Sequence, residues 1–181
     1  MCARTGNDMN ESVMKDLIKE AKKGDADAFG RLYASLSHEL YRFALYYLHR
    51  EADAEDAVQD AAMAAYKNIR YLKKPESFRS WFFKILSNEC KKYLLKRSSR
   101  PEDLTDDFPT LAEPTGNDHV LRFELAELLN ALPDEDRQIV LLSVLEGYSS
   151  KEIAQITGIK ANTVRSRLSR SLHKLRTELE K

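Results

Sequence analysis

The sequence predicts an all-α chain of two small helical domains, a four-helix domain and a helix-turn-helix domain, joined by a flexible acidic linker. Three observations carry this. Apolar residues recur at helical spacing almost throughout. Six glycines and five prolines are the only strong backbone punctuation in 181 residues, too little for a turn-rich β fold. One stretch, Arg97 to Asn117, holds three of those prolines and no amphipathic period, which marks a connector between two bodies. The expected boundaries are a tail over 1–12, a front domain over 13–97, a linker over 98–117 and a rear domain over 118–181.

In the front domain the spacing predicts helices over 13–23, 26–49, 53–72 and 78–97. Gly24 suits the end of the first, and Asp25 is the expected N-cap of the second. Asp53 is expected to cap the third, and Lys74-Pro75 breaks the chain before the fourth. Beyond the linker, Val120, Leu121, Leu125, Leu128 and Leu129 line a helix that stops near Leu132-Pro133. Pro133 followed by Asp134, Glu135 and Asp136 is a helix start, its carboxylates facing the positive end of the dipole. That helix is expected to run to Gly147.

The segment Ser149 to Arg176 is the most informative. Ser149 and Glu152 stand at capping-box spacing, Ala154 leaves room for a crossing helix, and Gly158 permits a left-handed turn. In the second helix of this segment, Val164, Leu168, Leu172, Leu175 and Leu179 make an apolar stripe, while Thr163, Ser166, Ser169, Arg170, His173 and Thr177 fall away from it. No acid lies between Glu152 and Glu178, but Lys160, Arg165, Arg167, Arg170, Lys174 and Arg176 are all cationic. A charged face ordinarily only solvates a helix. One sign of charge on the second helix of a capped helix-turn-helix points instead to phosphate contact and major-groove reading.

Net charge is zero, yet it is unevenly spread. Residues 1–100 hold nineteen Lys or Arg against fourteen Asp or Glu, and residues 101–117 hold five acids and no base. Basic surfaces are thus separated by an acidic connector. No run is long enough to span a bilayer, and the polar start MCARTGNDMNES lacks a signal-peptide core, so a cytoplasmic chain is expected. Cys2 and Cys90 have no metal or redox spacing, and the four histidines do not cluster, so neither a cofactor nor a metal is expected. Cys90 reads as a small buried hydrophobe.

Two further constellations matter. In DAEDAVQD, Asp53, Asp56 and Asp60 share a helical face beside Gln59. Such carboxylates can bind metal or do acid-base chemistry, can simply cap and solvate a helix start, or can dock a protein partner. Local chemistry leaves all three open. Between Asn68 and Arg97, aromatic residues including Tyr71, Trp81 and Tyr93 are interleaved with eight cations, a mixture suited to holding a single strand. Trp81 and Phe82 lie at core spacing and read as packing. Lys73, Lys74, Ser77, Arg79, Asn88 and Lys92 are the better candidates for contact.

In this order, GDADAFGRLY, DAEDAVQD, SFRSWFFKILSN and the run from Leu132 to Arg176 resemble a bacterial RNA polymerase sigma factor of the extracytoplasmic-function group. The resemblance extends from about Leu17 to Leu179. It implies a σ2 and a σ4 domain with none between, and a transcription initiation factor rather than an enzyme. It assigns Asp53, Asp56, Gln59 and Asp60 to docking on the polymerase β′ clamp helices, with the β flap as a second polymerase contact. It assigns the loop Lys73 to Ser77, with Arg79, Asn88 and Lys92, to the −10 element as separated strand. Thr163, Arg165, Ser166, Arg167, Ser169 and Arg170 would read the −35 duplex, arginine being the expected reader of guanine. Regulation by an anti-sigma factor, without membrane insertion of this chain, is also implied. Lys160 stands where many relatives carry a capping serine, and Asn162 where glycine is common, so the recognition-helix entry is expected to differ.

Two other classes compete on sequence alone. A dimeric helix-turn-helix regulator would bind palindromic half-sites without polymerase. A carboxylate-dependent nuclease would require divalent metal at Asp53, Asp56 and Asp60.

Overall fold

The computed structural model describes residues 11–98 and 126–180. The expectations for Cys2, for the connector beyond Ser98 and for Val120, Leu121 and Leu125 lie outside them. The front domain contains α1 (Glu11–Lys22), α2 (Ala26–Leu48), α3 (Glu51–Asn68) and α4 (Phe78–Ser98). Gly24 turns the chain at φ 99°. Asp25 then accepts from the N–H groups of Asp27 and Ala28 at 2.9 and 3.0 Å, a cap of about 1 kcal/mol. The expected cap at Asp53 is corrected: α3 begins two residues earlier, after an extended Arg50 that makes no side-chain cap bond. Asp53 therefore sits in the first turn, 3.8 Å from Arg50, where its charge still faces the helix N-terminus. Short 3-10 turns over Ile69–Tyr71 and Pro75–Ser77 join α3 to α4, the second opening at the anticipated Lys74-Pro75 break.

The front core is aromatic and alanine-rich for a steric reason. Phe43, Phe82 and Phe83 are fully buried, and Ala54, Ala57, Ala61 and Ala65 line the inner face of α3 at 0% exposure. Small side chains let α3 lie close to α2 and α4, while the large rings fill the space between those two. Each fully buried large apolar side chain contributes about 1.5–3 kcal/mol. Cys90 is among the buried residues, as its pattern predicted.

The rear domain begins with the helical residues 126–130 (α5), followed by α6 (Asp134–Val140), α7 (Ser150–Thr157) and α8 (Ala161–Leu179). The helix expected to reach Gly147 instead widens into a π-turn over Leu141–Leu145, closed by Glu146 N–H to Leu141 O at 3.2 Å. A widened turn holds one more residue than an α-turn and shifts the phase of the residues after it.

Arg137, buried at 5% exposure, donates to the carbonyls of Leu129, Asn130 and Leu132 at 3.1, 3.3 and 3.2 Å. It thereby satisfies the end of α5, whose last carbonyls have no partner within the helix. The same guanidinium crosses to α2 and donates to Tyr47 O at 2.9 Å. The two domains meet where α4 packs on α7 and where α2 packs on α6 and the π-turn.

Candidate nucleic-acid interface

The helix-turn-helix forms by the local rules that predicted it. Glu152 accepts from the Ser149 N–H at 2.8 Å and from its hydroxyl at 2.7 Å, while the Glu152 N–H donates back to Ser149 Oγ at 3.4 Å. Gly158 takes φ 79° and donates to Ala154 O at 2.9 Å, closing α7. Thr157 reinforces the turn, donating to Ile153 O at 2.8 Å and accepting from Ile159 N–H at 3.3 Å. At the start of α8 Lys160 provides no side-chain cap, as expected of lysine in place of serine.

Along α8, Val164, Ser171 and Leu175 are buried and Leu168 is half-buried. The expected apolar stripe is thus corrected in part: Leu172 and Leu179 are 40% and 58% exposed, and Ser171 takes the inward position. Thr163, Arg165, Ser166, Ser169 and Arg170 are all exposed. Arg165 donates to Asn162 Oδ1 at 3.3 Å, and Arg170 Nε donates to Ser166 O at 3.3 Å. Both bonds stay within the exposed surface, leaving further guanidinium N–H groups for a ligand. Arg167 is placed differently, paired with Glu135 and Asp136, so it fastens α8 to the start of α6.

In the front domain Lys73, Lys74, Asn88 and Lys92 are exposed and Ser77 is half-buried. Lys92 is paired with Glu89 on its own helix at 2.7 Å. Beside the loop, Tyr71 is 64% exposed with Arg70 lying 4.8 Å over its ring, an aromatic face with an adjoining cation of the kind that holds unpaired bases. Trp81 is half-buried against Phe78 and Phe82, ring centroids 6.1 and 6.5 Å away. Arg79 faces the rear domain: it donates to Glu39 at 2.9 Å and pairs with Glu146 at 2.8 Å.

The acidic residues of α3 divide by environment. Asp56 and Gln59 are exposed, whereas Asp53 and Asp60 are half-buried and occupied by Arg50 and Tyr93. Gln59 and Glu55 line a shallow groove against Tyr33, His38 and Tyr41 of α2. Among the described residues no three His, Cys, Asp or Glu side chains converge as metal ligands would. No helix among them is long and apolar enough to cross a membrane.

The sequence pattern does not single out Arg42, Arg137 or Glu146, which the fold brings to the boundary between the domains. Arg42 pairs with Glu146 at 3.2 Å, and the Glu146 side chain is fully enclosed. Burial pushes its carboxyl above the usual carboxylate range, while Arg42 and Arg79 pull it back.

Likeness to known proteins divides the chain in the same way. Residues 32–100 match the sigma-70 region 2 family, and residues 122–175 match sigma-70 region 4. RNA polymerase sigma factor SigV of Bacillus subtilis is 33% identical over 143 residues, covering 79% of this chain and 86% of SigV. The extracytoplasmic-function sigma factor SigW of the same organism is 30% identical over 183 residues, covering 93% and 98% of the two chains. Among solved structures, the sigma factor RpoE of Bartonella quintana, crystallised with the anti-sigma factor NepR, superposes with a TM-score of 0.73 at 25% identity, covering 84% of this chain and 96% of RpoE. With two helical bodies in this order, a capped helix-turn-helix in the second, and these likenesses along nearly the whole chain, the protein belongs to the sigma-70 family, in its extracytoplasmic-function group.

Proposed function

We propose that this chain is a dissociable transcription initiation factor that binds core RNA polymerase, directs it to promoters with −35 and −10 elements and promotes strand opening. The observation that carries this is the exposed row Thr163, Arg165, Ser166, Ser169 and Arg170 on the second helix of a capped helix-turn-helix. It is tethered to a front domain that exposes Asp56 and Gln59 on one helix and Lys73, Lys74, Asn88 and Lys92 elsewhere.

The front domain, 13–97, holds the β′ clamp helices through Asp53, Asp56, Gln59 and Asp60, and meets the −10 strand through Lys73, Lys74, Ser77, Arg79, Asn88 and Lys92. The rear domain, 118–181, rests against the β flap and reads the −35 duplex through the α8 row, with Arg167 joining it when released from α6. Cations track phosphate, and bidentate arginine distinguishes guanine in the major groove. Strand opening follows from contacts made only with unpaired bases, which shift the closed-to-open equilibrium by their differential affinity. No covalent chemistry is required of the chain, and it works in the cytoplasm beside polymerase. The acidic linker, 98–117, carries charge resembling a nucleic acid and occupies a basic polymerase channel. An anti-sigma factor, as in the RpoE complex, would hold the chain inactive by covering these same surfaces.

The decisive experiment is a run-off transcription assay with purified core polymerase, with and without the protein, on a candidate promoter. A transcript only in its presence supports the proposal. Binding to palindromic DNA without polymerase would indicate a conventional regulator instead.

A further inference from the structure

Glu146 sits between two arginines of the other domain. One carboxylate oxygen meets Arg42 at 3.2 Å and the other meets Arg79 at 2.8 Å. Arg79 also donates to the Glu146 carbonyl at 3.3 Å, and Arg42 to that of Leu145 at 3.4 Å. Tyr148 completes the contact. Its ring packs edge-on against Phe83 of α4, with centroids 5.5 Å apart, and the Arg79 guanidinium lies 4.7 Å over it. A carboxylate with no exposed surface, held through both oxygens by cations from a separate body, is a built contact and not a surface ion pair.

We propose that this contact is an intramolecular latch: the rear domain docks on the front domain through Glu146 and Tyr148, keeping the free chain closed and Arg79 out of reach of DNA. The inference rests on the promoter-reading role proposed above. Geometry then requires the latch to open. Elements centred near −35 and −10 lie roughly 25 base pairs apart, which is about 85 Å of duplex at ~3.4 Å per pair. Compact domains of these lengths are each about 25–30 Å across, so two in contact reach less than about 60 Å between their far faces. The closed chain therefore cannot occupy both elements. Polymerase supplies the opening force by binding the two domains at separated places, which is differential affinity for the open state.

The contact is also suited to release. The Tyr148 hydroxyl is buried with no hydrogen-bond partner among the described residues, so opening hydrates a group that closure leaves unsatisfied. Glu146 likewise exchanges two protein cations for water.

The test uses the full-length chain with Cys2→Ser, carrying fluorophores on cysteines placed at the exposed Lys19 of α1 and Lys151 of α7; Cys90 is buried and takes no label. Energy transfer should be high in the free chain and fall on adding core polymerase and promoter. Glu146→Gln should lower transfer in the free chain, and Glu146→Lys, which sets a third cation against two arginines, should lower it further. Both variants should associate with core polymerase several-fold faster, with circular dichroism unchanged. Free-chain transfer that matches the promoter complex, or that neither substitution alters, would overturn the latch. The transcription assay fails separately: no run-off product from the wild-type chain would overturn the initiation role, while the latch is still read from the free chain.

Discussion

The Tyr93 hydroxyl donates to Asp60 Oδ2 at 2.9 Å, fixing one carboxylate of the α3 docking face from the neighbouring helix α4. The bond holds Asp60 in one orientation before any partner arrives. Tyr93→Phe should lower unfolding stability by about 1 kcal/mol, the usual worth of such a bond, and weaken core-polymerase binding several-fold. Urea denaturation and fluorescence titration with core enzyme measure the two effects.

Asp56 and Gln59 are exposed, so their side chains are accessible to a partner. Alanine at both positions should reduce core-polymerase affinity at least tenfold while leaving the thermal midpoint within a few degrees of wild type, since surface changes away from packing are within about 0.5 kcal/mol. Affinity measured by co-sedimentation beside a melting curve separates the two. An unchanged affinity would remove α3 from the polymerase interface.

Arg165 and Arg170 predict an effect of a different kind. Replacing either with alanine should weaken discrimination at the −35 element by about 1–3 kcal/mol for each guanine that the guanidinium reads, with core binding unchanged. Selection of promoters from random DNA by wild-type and variant holoenzyme would show it as relaxed preference at one or two adjacent positions.

Cys90 should be chemically silent. It is fully buried, and burial pushes its thiol far above the usual cysteine range, so almost none is thiolate at neutral pH. In a Cys2→Ser chain, a thiol reagent at mildly alkaline pH should find no reactive group until urea unfolds the protein, and then one. Rapid labelling of the native chain would reopen a redox role.

Arg137→Ala should be among the most damaging single changes. It leaves the carbonyls of Leu129 and Leu132, and that of Tyr47 in the other domain, without this donor. Unsatisfied buried groups cost about 1–3 kcal/mol each, so urea denaturation should show a destabilisation of about 3 kcal/mol or more. Lysine should rescue little, because a single ammonium cannot reproduce the fork.

What the sequence made legible was local. Asp25, Gly24, the Ser149–Glu152 box and Gly158 each act within four residues of their own position, and each stands where its pattern placed it. Asp53 misleads because Glu51 and Asp53 are both plausible near a helix start, and the boundary is set by Arg50's extended backbone, which carries no side-chain signature. Leu172 and Leu179 satisfy the helical period, but α8 presents them to solvent and buries Ser171 instead. Glu146 was invisible for a stronger reason. Its partners Arg42 and Arg79 are 104 and 67 positions away, and no periodicity links a lone acid to cations in another domain.

The widened turn over Leu141–Leu145 gains significance from this geometry. One surplus residue advances every later position by about 100° around the axis, because 3.6 residues complete a circle. Delete it, and the segment regains regular winding while the downstream carboxylate swings away from both guanidiniums. The switch between a folded-up and an extended molecule thus depends on an indexing error of a single amino acid, written into the backbone rather than into any side chain.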